Sequence, residues 1–385
     1  MFSSPAASHA ESQRRAAHYF SQTYAEARQR FLAAATAGAC SVASFPLGAA
    51  GSQGEALATD VALLARPGAD RVLLITSATH GAEGFCGSAC QLALLDDADL
   101  LARMAAARVA LLLVHAINPY GFSWSSRTDA SNVDLNRNAL PFGAPLPDNH
   151  AYAELHPLLL PPIWPPDADN RQAMARYIAR HGPQGYRDAV SRGQYTHPEG
   201  LFYGGTEPRP SLRTLEHILR QHASGFADIA WIDVHTGLGP RGHGEKIYAG
   251  RRNMADVARA QHWWGLDVTV PFSGSSKSAD VTGHLASMAY AACPDARITP
   301  MALEFGTVPF VAMVDALRGE AWLRAHPDAP CALASRIRRD LRDAFYCDAL
   351  DWKAMVLGQS RVAILQALGG LAAEAGAHDL APLHH

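Results

Sequence analysis

The stretch Arg71–Gly87, RVLLITSATHGAEGFCG, constrains this chain more than any other. Val72–Ile75 is a continuous apolar run, the pattern of a strand buried on both faces, and Thr76–Thr79 carries it on in small residues. The chain then breaks at Gly81 and Gly84, after which Phe85–Leu95 places Ala, Leu and Gln at helical spacing. A buried strand feeding a helix through a tight turn is the unit of an open α/β sheet. It puts His80 and Glu83 at the carboxyl end of a strand, where such sheets bind ligands.

Further runs repeat the pattern. Ala107–Ala116 (ARVALLLVHA), Ile229–Gly239 (IAWIDVHTGLG) and Ile298–Phe305 (ITPMALEF) read as buried strands. Their alternation with helical segments predicts a single α/β domain over residues 1–385, with a mixed, mainly parallel sheet flanked by helices on both faces. Ser44–Leu47 and Leu57–Leu64, separated by Gly48–Gly54, read as an antiparallel hairpin at one sheet edge. Residues 19–36 read as an N-terminal amphipathic helix with Tyr24, Ala27, Phe31 and Ala34 on its apolar face. Asp169–Gly182 and Ser211–His222 read as helices, and residues 331–373 as two helices covering the sheet.

A net charge of −3 with 18 % charged residues gives no footprint for a nucleic acid or an acidic membrane. Apolar runs such as Val109–Val114 are too short to span a bilayer, and the N-terminus lacks the apolar core of a secretory signal, so the expected location is the cytoplasm. Cys40, Cys86, Cys90, Cys293, Cys331 and Cys347 form no C-x-x-C pair and read as reduced, structural residues.

On an irregular turn, His80 and Glu83 can direct an imidazole nitrogen and a carboxylate at one point, half of a zinc site. Catalytic zinc usually takes three protein ligands and leaves a fourth position for water. The same pair also suits a plain turn, with His80 as a cap and Glu83 as an acid complementing the helix dipole. His235, again at a strand's carboxyl end, supplies the missing ligand, and Asp233 on the same strand face can orient a ligand or fix a backbone turn. His243 and Glu245, on a Gly-rich loop, are an alternative pair, less favoured because a mobile loop positions a metal less well. His115, inside a strand, reads as a hydrogen-bonded core residue.

Asn118–Asn138, NPYGFSWSSRTDASNVDLNRN, reads as irregular chain on the same side of the sheet as His80. It carries Arg127 and Arg137 with the amides of Asn132, Asn136 and Asn138. A guanidinium matches a carboxylate bidentately, so this composition suggests capture of an anionic group. A polar surface loop held by Asx turns would use the same residues. Tyr195, His197 and Tyr203, on Gly193–Gly205, suit either a pocket or packing of a long loop. Glu304 is an acid in an apolar strand. An unpaired buried carboxylate is costly, so it calls for a functional partner.

His80-x-x-Glu83, Arg127, Asn136-Arg137, His235 and Glu304 occur in the order seen in the zinc carboxypeptidase superfamily, which the chain resembles. The DLNRN run and the D-x-H strand look most like its succinylglutamate desuccinylase and aspartoacylase branch. THGAEG, NPYGFSW, DVHTGLG and EFGT are similar to an uncharacterised bacterial group of that superfamily, known only as a domain of unknown function, from about Tyr19 to about Leu371. The resemblance implies Zn2+ held by His80, Glu83 and His235. It implies Glu304 as the base that activates water and passes its proton to the leaving amine, Arg127 as the group polarising the scissile carbonyl, and Asn136 and Arg137 as the grip on a substrate carboxylate. One departure is the length of chain between Arg137 and His235, which reads as an insertion over residues 140–225 that reshapes the pocket. Tyr203 and Tyr248 are candidates for a tyrosine that closes on substrate.

The expected activity is zinc-dependent hydrolysis of an amide bond near a free carboxylate, with a peptide C-terminus or an N-acyl amino acid as substrate and neither nucleic acid nor membrane as partner. Two other readings use the same residues. A two-His-one-carboxylate set also binds non-haem iron in oxygenases, though normally on a β-barrel. A metal-dependent binding protein without turnover would keep the ligands but has no need of Glu304.

Overall fold

Among the described residues, seven strands form one sheet: β1 (Ser41–Ala50), β2 (Ala56–Leu64), β3 (Arg71–Thr76), β4 (Val109–His115), β5 (Asp228–Thr236), β6 (Gly244–Tyr248) and β7 (Arg297–Phe305). The structure, a computed structural model, describes residues 5–379. The strand order is β1-β2-β4-β3-β5-β7-β6. The four inner strands β4, β3, β5 and β7 run parallel, while β1, β2 and β6 are antiparallel to their neighbours. This is the expected mixed sheet, with the expected hairpin at one edge.

Every residue of β3, β4 and β5 is buried, because both faces of the sheet are covered. Side chains alternate between those faces. Leu73, Ile75, Leu111 and Leu113 join one core cluster with residues of the helices Tyr24–Ala37, Gly84–Leu95, Met254–Trp264 and Leu350–Asp379. Val72, Leu74, Leu112 and Val114 join another beneath Pro210–His222 and Ser287–Ala292. A third cluster contains no strand residue. Tyr152, Tyr177, Tyr186 and Leu201 from the 140–225 insertion pack there against Met313, Leu317, Leu341 and Phe345 of the helices Phe310–Ala325 and Cys331–Phe345.

Several local expectations change. The early helix begins at Tyr24, where Thr23 Oγ1 caps it by accepting from the Glu26 N–H, and it buries Ala35 rather than Ala34. The helix expected to end at Gly182 runs Ala168–Ser191, kinking at Gly182 (φ +72°) just before Pro183. Asn118–Asn138 is not irregular throughout. Asn118 Oδ1 accepts the Gly121 N–H at 2.9 Å and Pro119 occupies the first turn, which nucleates the helix Pro119–Trp124. His115 is the core residue expected, its Nε2 3.1 Å from Ser88 Oγ and its ring stacked 4.6 Å from Phe31. All six cysteines are free, and Cys331 is exposed. Leu350–Ala373 is long and apolar enough to cross a membrane, but its Trp352, Val356, Ala363 and Leu371 are buried in the first core cluster.

The order of connections positions the site. β3 leads through Gly84–Leu95 to β4 on one side, whereas β5 pairs on the other. The carboxyl ends of β3 and β5 therefore flank a switch point, the place where open α/β sheets leave a crevice.

Candidate metal centre

His80 precedes a single 3₁₀ turn, Gly81–Glu83, that leads into the helix Gly84–Leu95, and His235 is the penultimate residue of β5. The turn has little freedom. Ala82 N–H donates to Ser126 O at 2.9 Å, and a Cβ on Gly81 would lie 1.8 Å from the Gly121 carbonyl carbon, so only glycine fits. Ligand-capable atoms of His80, Glu83 and His235 lie within 4.8 Å of one another, and all three residues are buried. Glu83 joins the imidazoles, with Oε1 2.8 Å from His80 Nδ1 and Oε2 3.0 Å from both His235 Nδ1 and the Thr236 N–H.

The outer ring nitrogens each meet an acid. His80 Nε2 is 3.1 Å from Asp134 Oδ1, and His235 Nε2 is 2.6 Å from Asp233 Oδ2. Asp233 also accepts from the hydroxyls of Thr76 and Thr79, at 2.6 and 3.0 Å. An imidazole that gives Nδ1 to a metal carries its proton on Nε2, and a carboxylate there fixes tautomer and ring orientation. Two imidazoles, one carboxylate and an outer acid behind each imidazole fit a divalent transition metal with an open position, not an all-oxygen calcium or magnesium cage. Burial alone would push the Glu83 carboxyl up, but the His80 and His235 imidazoles hold it well below the usual carboxylate range. Asp134 is likewise held ionised against burial by Arg127, His80 and Arg137.

Glu304 on β7 is in register with His235 on β5, so both side chains leave the same face of the sheet. Its Oε1 accepts the Leu238 N–H at 3.0 Å, and burial, reinforced by the Glu83 charge, pushes its carboxyl up to about 8. Arg127 donates from Nε to Asp134 Oδ2 at 3.0 Å. Its Nη1 lies 3.5 Å from Glu83 Oε1 and its Nη2 2.9 Å from His80 Nε2, which sets the guanidinium against the ligand set. Arg137 gives Nε and Nη2 to Ser191 O, at 3.1 and 2.6 Å, and Nη1 to Asn136 O at 2.8 Å. Nη1 also pairs with Asp134 Oδ2 at 4.0 Å; the hydrogen bonds leave one unused N–H on each terminal nitrogen of a side chain 5 % exposed. Asn136 Oδ1 accepts the Leu285 N–H at 2.8 Å, so the part of its amide left for a ligand is the donor, Nδ2.

The seven residues to which the family resemblance gives roles, His80, Glu83, His235, Glu304, Arg127, Asn136 and Arg137, line one cavity of about 130 Å³. Other assignments move. Glu245, expected with His243 on a loop, sits on β6, and its Oε1 takes hydrogen bonds from Thr269 Oγ1, Ser276 Oγ and the Lys277 N–H; neither residue lines the cavity. Tyr195, His197 and Tyr203 do not line the cavity; their neighbour Phe202 does, under the guanidinium of Arg127 at 4.7 Å. Tyr248 lines it, but its hydroxyl donates to Arg251 O at 2.8 Å. Sequence reasoning passed over Asp134, whose place between two arginines in a run of amides was the available signal. It also passed over the wall formed by residues 271–286, which has no periodicity to mark it.

Solved structures that the chain resembles include a metallo-carboxypeptidase from Burkholderia cenocepacia, 12 % identical over 90 % of this chain and 68 % of that one, with a TM-score of 0.45. Carboxypeptidase A from Helicoverpa armigera is 14 % identical over 84 % of this chain and 74 % of that one, with a TM-score of 0.43. An aspartoacylase family protein from Mesorhizobium loti is 13 % identical over 74 % and 66 %, with a TM-score of 0.35. No curated protein matches in sequence. A family model described as "Protein of unknown function (DUF2817)" matches residues 20–359, and the chain belongs to that family, the kind of group its longer motifs resemble.

Proposed function

We propose that this chain is a zinc-dependent hydrolase that cleaves an amide bond next to a free carboxylate, in a peptide C-terminus or an N-acyl amino acid. The observation that carries the reading is the convergence in one buried cavity of a His-Glu-His donor set, an in-register carboxyl and a guanidinium with unused donors. His80 Nδ1, Glu83 and His235 Nδ1 would hold the metal. A zinc ion there supplies Lewis acidity and makes water a nucleophile near neutral pH.

The protein's own groups do the rest. Glu304 would act in its ionised form, which a cation held by the donor set favours against burial and the Glu83 charge, taking the proton of the attacking water and returning it to the leaving amine. Arg127, anchored by Asp134, donates to the carbonyl oxygen as it gains charge. Asn136 Nδ2 and the free fork of Arg137 bind the substrate carboxylate, which fixes the scissile bond over the donor set. The substrate is therefore a small molecule or short peptide bearing a carboxylate.

Elemental analysis and a screen of N-acyl amino acids and short peptides, scored by amine release, test this. Purified protein should hold about one zinc per chain, and His235→Ala should lose it while still folding. Glu304→Gln should keep zinc and ligand while hydrolysis falls by about 10²–10⁴-fold. Unchanged turnover in Glu304→Gln would overturn its role. Iron in place of zinc, with oxygen uptake, would favour an oxygenase.

A further inference from the structure

Asn132 and Asn138 belong to the amide-rich run that suggested anion capture, yet neither lines the cavity. Both are spent on a neighbouring loop. Asn132 Nδ2 donates to Pro198 O at 2.7 Å and to Gly200 O at 2.9 Å, Asn138 Nδ2 donates to Gly204 O at 2.7 Å, and the Asp134 N–H donates to Tyr203 O at 2.8 Å. From the other side, the Tyr152 hydroxyl accepts the Leu201 N–H at 2.7 Å, and the Gln194 N–H donates to Phe202 O at 3.2 Å. Each residue from Gly200 to Gly204 is thus tied through its backbone, although the segment belongs to no helix or strand. Within it Phe202 has φ +53°, a left-handed conformation that a bulky side chain adopts only where the surrounding contacts impose it.

Those contacts place one ring against two cations. The centre of the Phe202 ring lies 4.7 Å from the guanidinium carbon of Arg127 and 5.4 Å from that of Arg137, and all three side chains line the cavity. Asp134 does not align both guanidiniums by itself. Arg127 Nε donates to its Oδ2 at 3.0 Å, whereas Arg137 Nη1 is 4.0 Å from the same oxygen, beyond hydrogen-bond reach. An aromatic face attracts a guanidinium and restrains its plane without taking up an N–H. The ring therefore holds Arg137 while leaving the unused N–H on each of its terminal nitrogens to a ligand, where a polar anchor would consume it. Phe202 also belongs to the third core cluster, but a leucine there would serve packing alone and would not attract the cations.

We propose that Phe202 is a positioning residue, whose ring holds both the guanidinium that meets the scissile carbonyl and the one that binds the substrate carboxylate, and so sets the two ends of the substrate relative to each other. The inference rests on the roles proposed above for Arg127 and Arg137. Arg127 acts where charge develops in the transition state, so its misplacement lowers kcat. Arg137 holds the carboxylate from the first encounter onwards, so its misplacement raises KM.

The kinetic test uses the zinc-loaded protein and the best substrate from the screen of N-acyl amino acids and short peptides. Phe202→Leu, which keeps an apolar side chain but no aromatic face, should lower kcat and raise KM, each by on the order of 10-fold, while zinc content is unchanged and melting curves show a folded protein. Phe202→Tyr, which keeps the face, should restore most of both. In an Arg137→Ala background Phe202→Leu should no longer raise KM, because the contact is already gone, but should still lower kcat. Urea unfolding of the metal-free protein gives a readout free of any substrate: the loss caused by Phe202→Leu should shrink when either Arg127 or Arg137 is replaced by Ala. Equal losses in all backgrounds, or Phe202→Tyr as impaired as Phe202→Leu, overturn this inference and leave the hydrolase reading standing. Hydrolysis of nothing in the screen overturns the hydrolase reading, and this role for Phe202 with it.

Discussion

Replacing Asp134 with Asn keeps the shape of a wholly buried side chain and removes its charge, which separates positioning from ligation. Its carboxylate faces His80 Nε2 at 3.1 Å and Arg127 Nε at 3.0 Å, and it accepts the Asn136 N–H at 2.9 Å. An Asn oxygen in the Oδ1 place can still accept from Asn136 and meet His80 Nε2, but as an uncharged acceptor, and its NH2 must then face the Arg127 N–H, donor against donor. Outer carboxylates behind metal-bound imidazoles are worth about 10–100-fold in metal affinity, or about 1.4–2.8 kcal/mol. Arg127, only 9 % exposed at its side chain, would also lose one of its two buried carboxylates, Glu83 remaining at 3.5 Å, at a cost of about 1.5–3 kcal/mol in folding stability. Competition with a chromogenic chelator gives the first quantity, and urea unfolding of the metal-free protein the second. Metal affinity within twofold of the parent would refute the assignment of the Asp134 charge as a support of His80.

Arg137→Ala, or amidation of the substrate carboxylate, should each cost on the order of 10²-fold in kcat/KM, and together little more than either, because they remove one contact; additive losses would make Arg137 a structural residue. Gly81→Ala forces the turn off the Gly121 backbone, so a loss of about 1–3 kcal/mol in unfolding free energy together with weakened zinc binding is expected, and a neutral outcome would mean the turn can shift freely. His115, pushed down to about 4 by burial, is neutral in the folded protein at pH 5, whereas in the unfolded chain it is protonated below its ordinary value of about 6.5. Its contribution is therefore fully present above about pH 6.5 and is lost as pH falls towards 4, about 2 kcal/mol between pH 7 and 5. Urea titrations at the two pH values should find His115→Gln less sensitive to acid by that amount, and equal slopes would contradict it.

Strand ends were the legible part of this chain. β3, β5 and β7 are apolar runs closed by Gly-containing turns, so His80, His235 and Glu304 could be placed at one edge of a sheet before any coordinates were known. Arg127, Asn136 and Arg137 were legible as chemistry but not as geometry, because loop side chains take their direction from what the loop packs on. Asp134 was lost for that reason: nothing local tells a capping acid from one that orients a ligand, and here one carboxylate caps the turn Leu135–Arg137 and faces His80 as well. The helix Ala168–Ser191 outran its expected end at Gly182 because Gly182 and Pro183 make only a kink when both halves bury apolar faces in one cluster. Residues 271–286 carry little regular structure, and their role as a cavity wall exists only once β6 and β7 stand beside them.

The two halves of the cleft are anchored in different cores. His235 and Glu304 hang from the sheet and His80 and Glu83 from the turn after β3, whereas Phe202 and Phe345 reach the cleft from a cluster that shares no residue with any strand and meets the donor set's surroundings at Ala82 and where Thr236 Oγ1 donates to Phe345 O. Substitutions in that second cluster away from Ala82 and Phe345 can tilt the aromatic wall by fractions of an ångström without loosening the strands and turn that carry the donor set. If the proposed function holds, mutational scanning of the 140–225 segment should alter substrate choice at undiminished metal affinity, and a laboratory selection for new acyl or amino-acid preferences should accumulate its changes there and leave the sheet untouched.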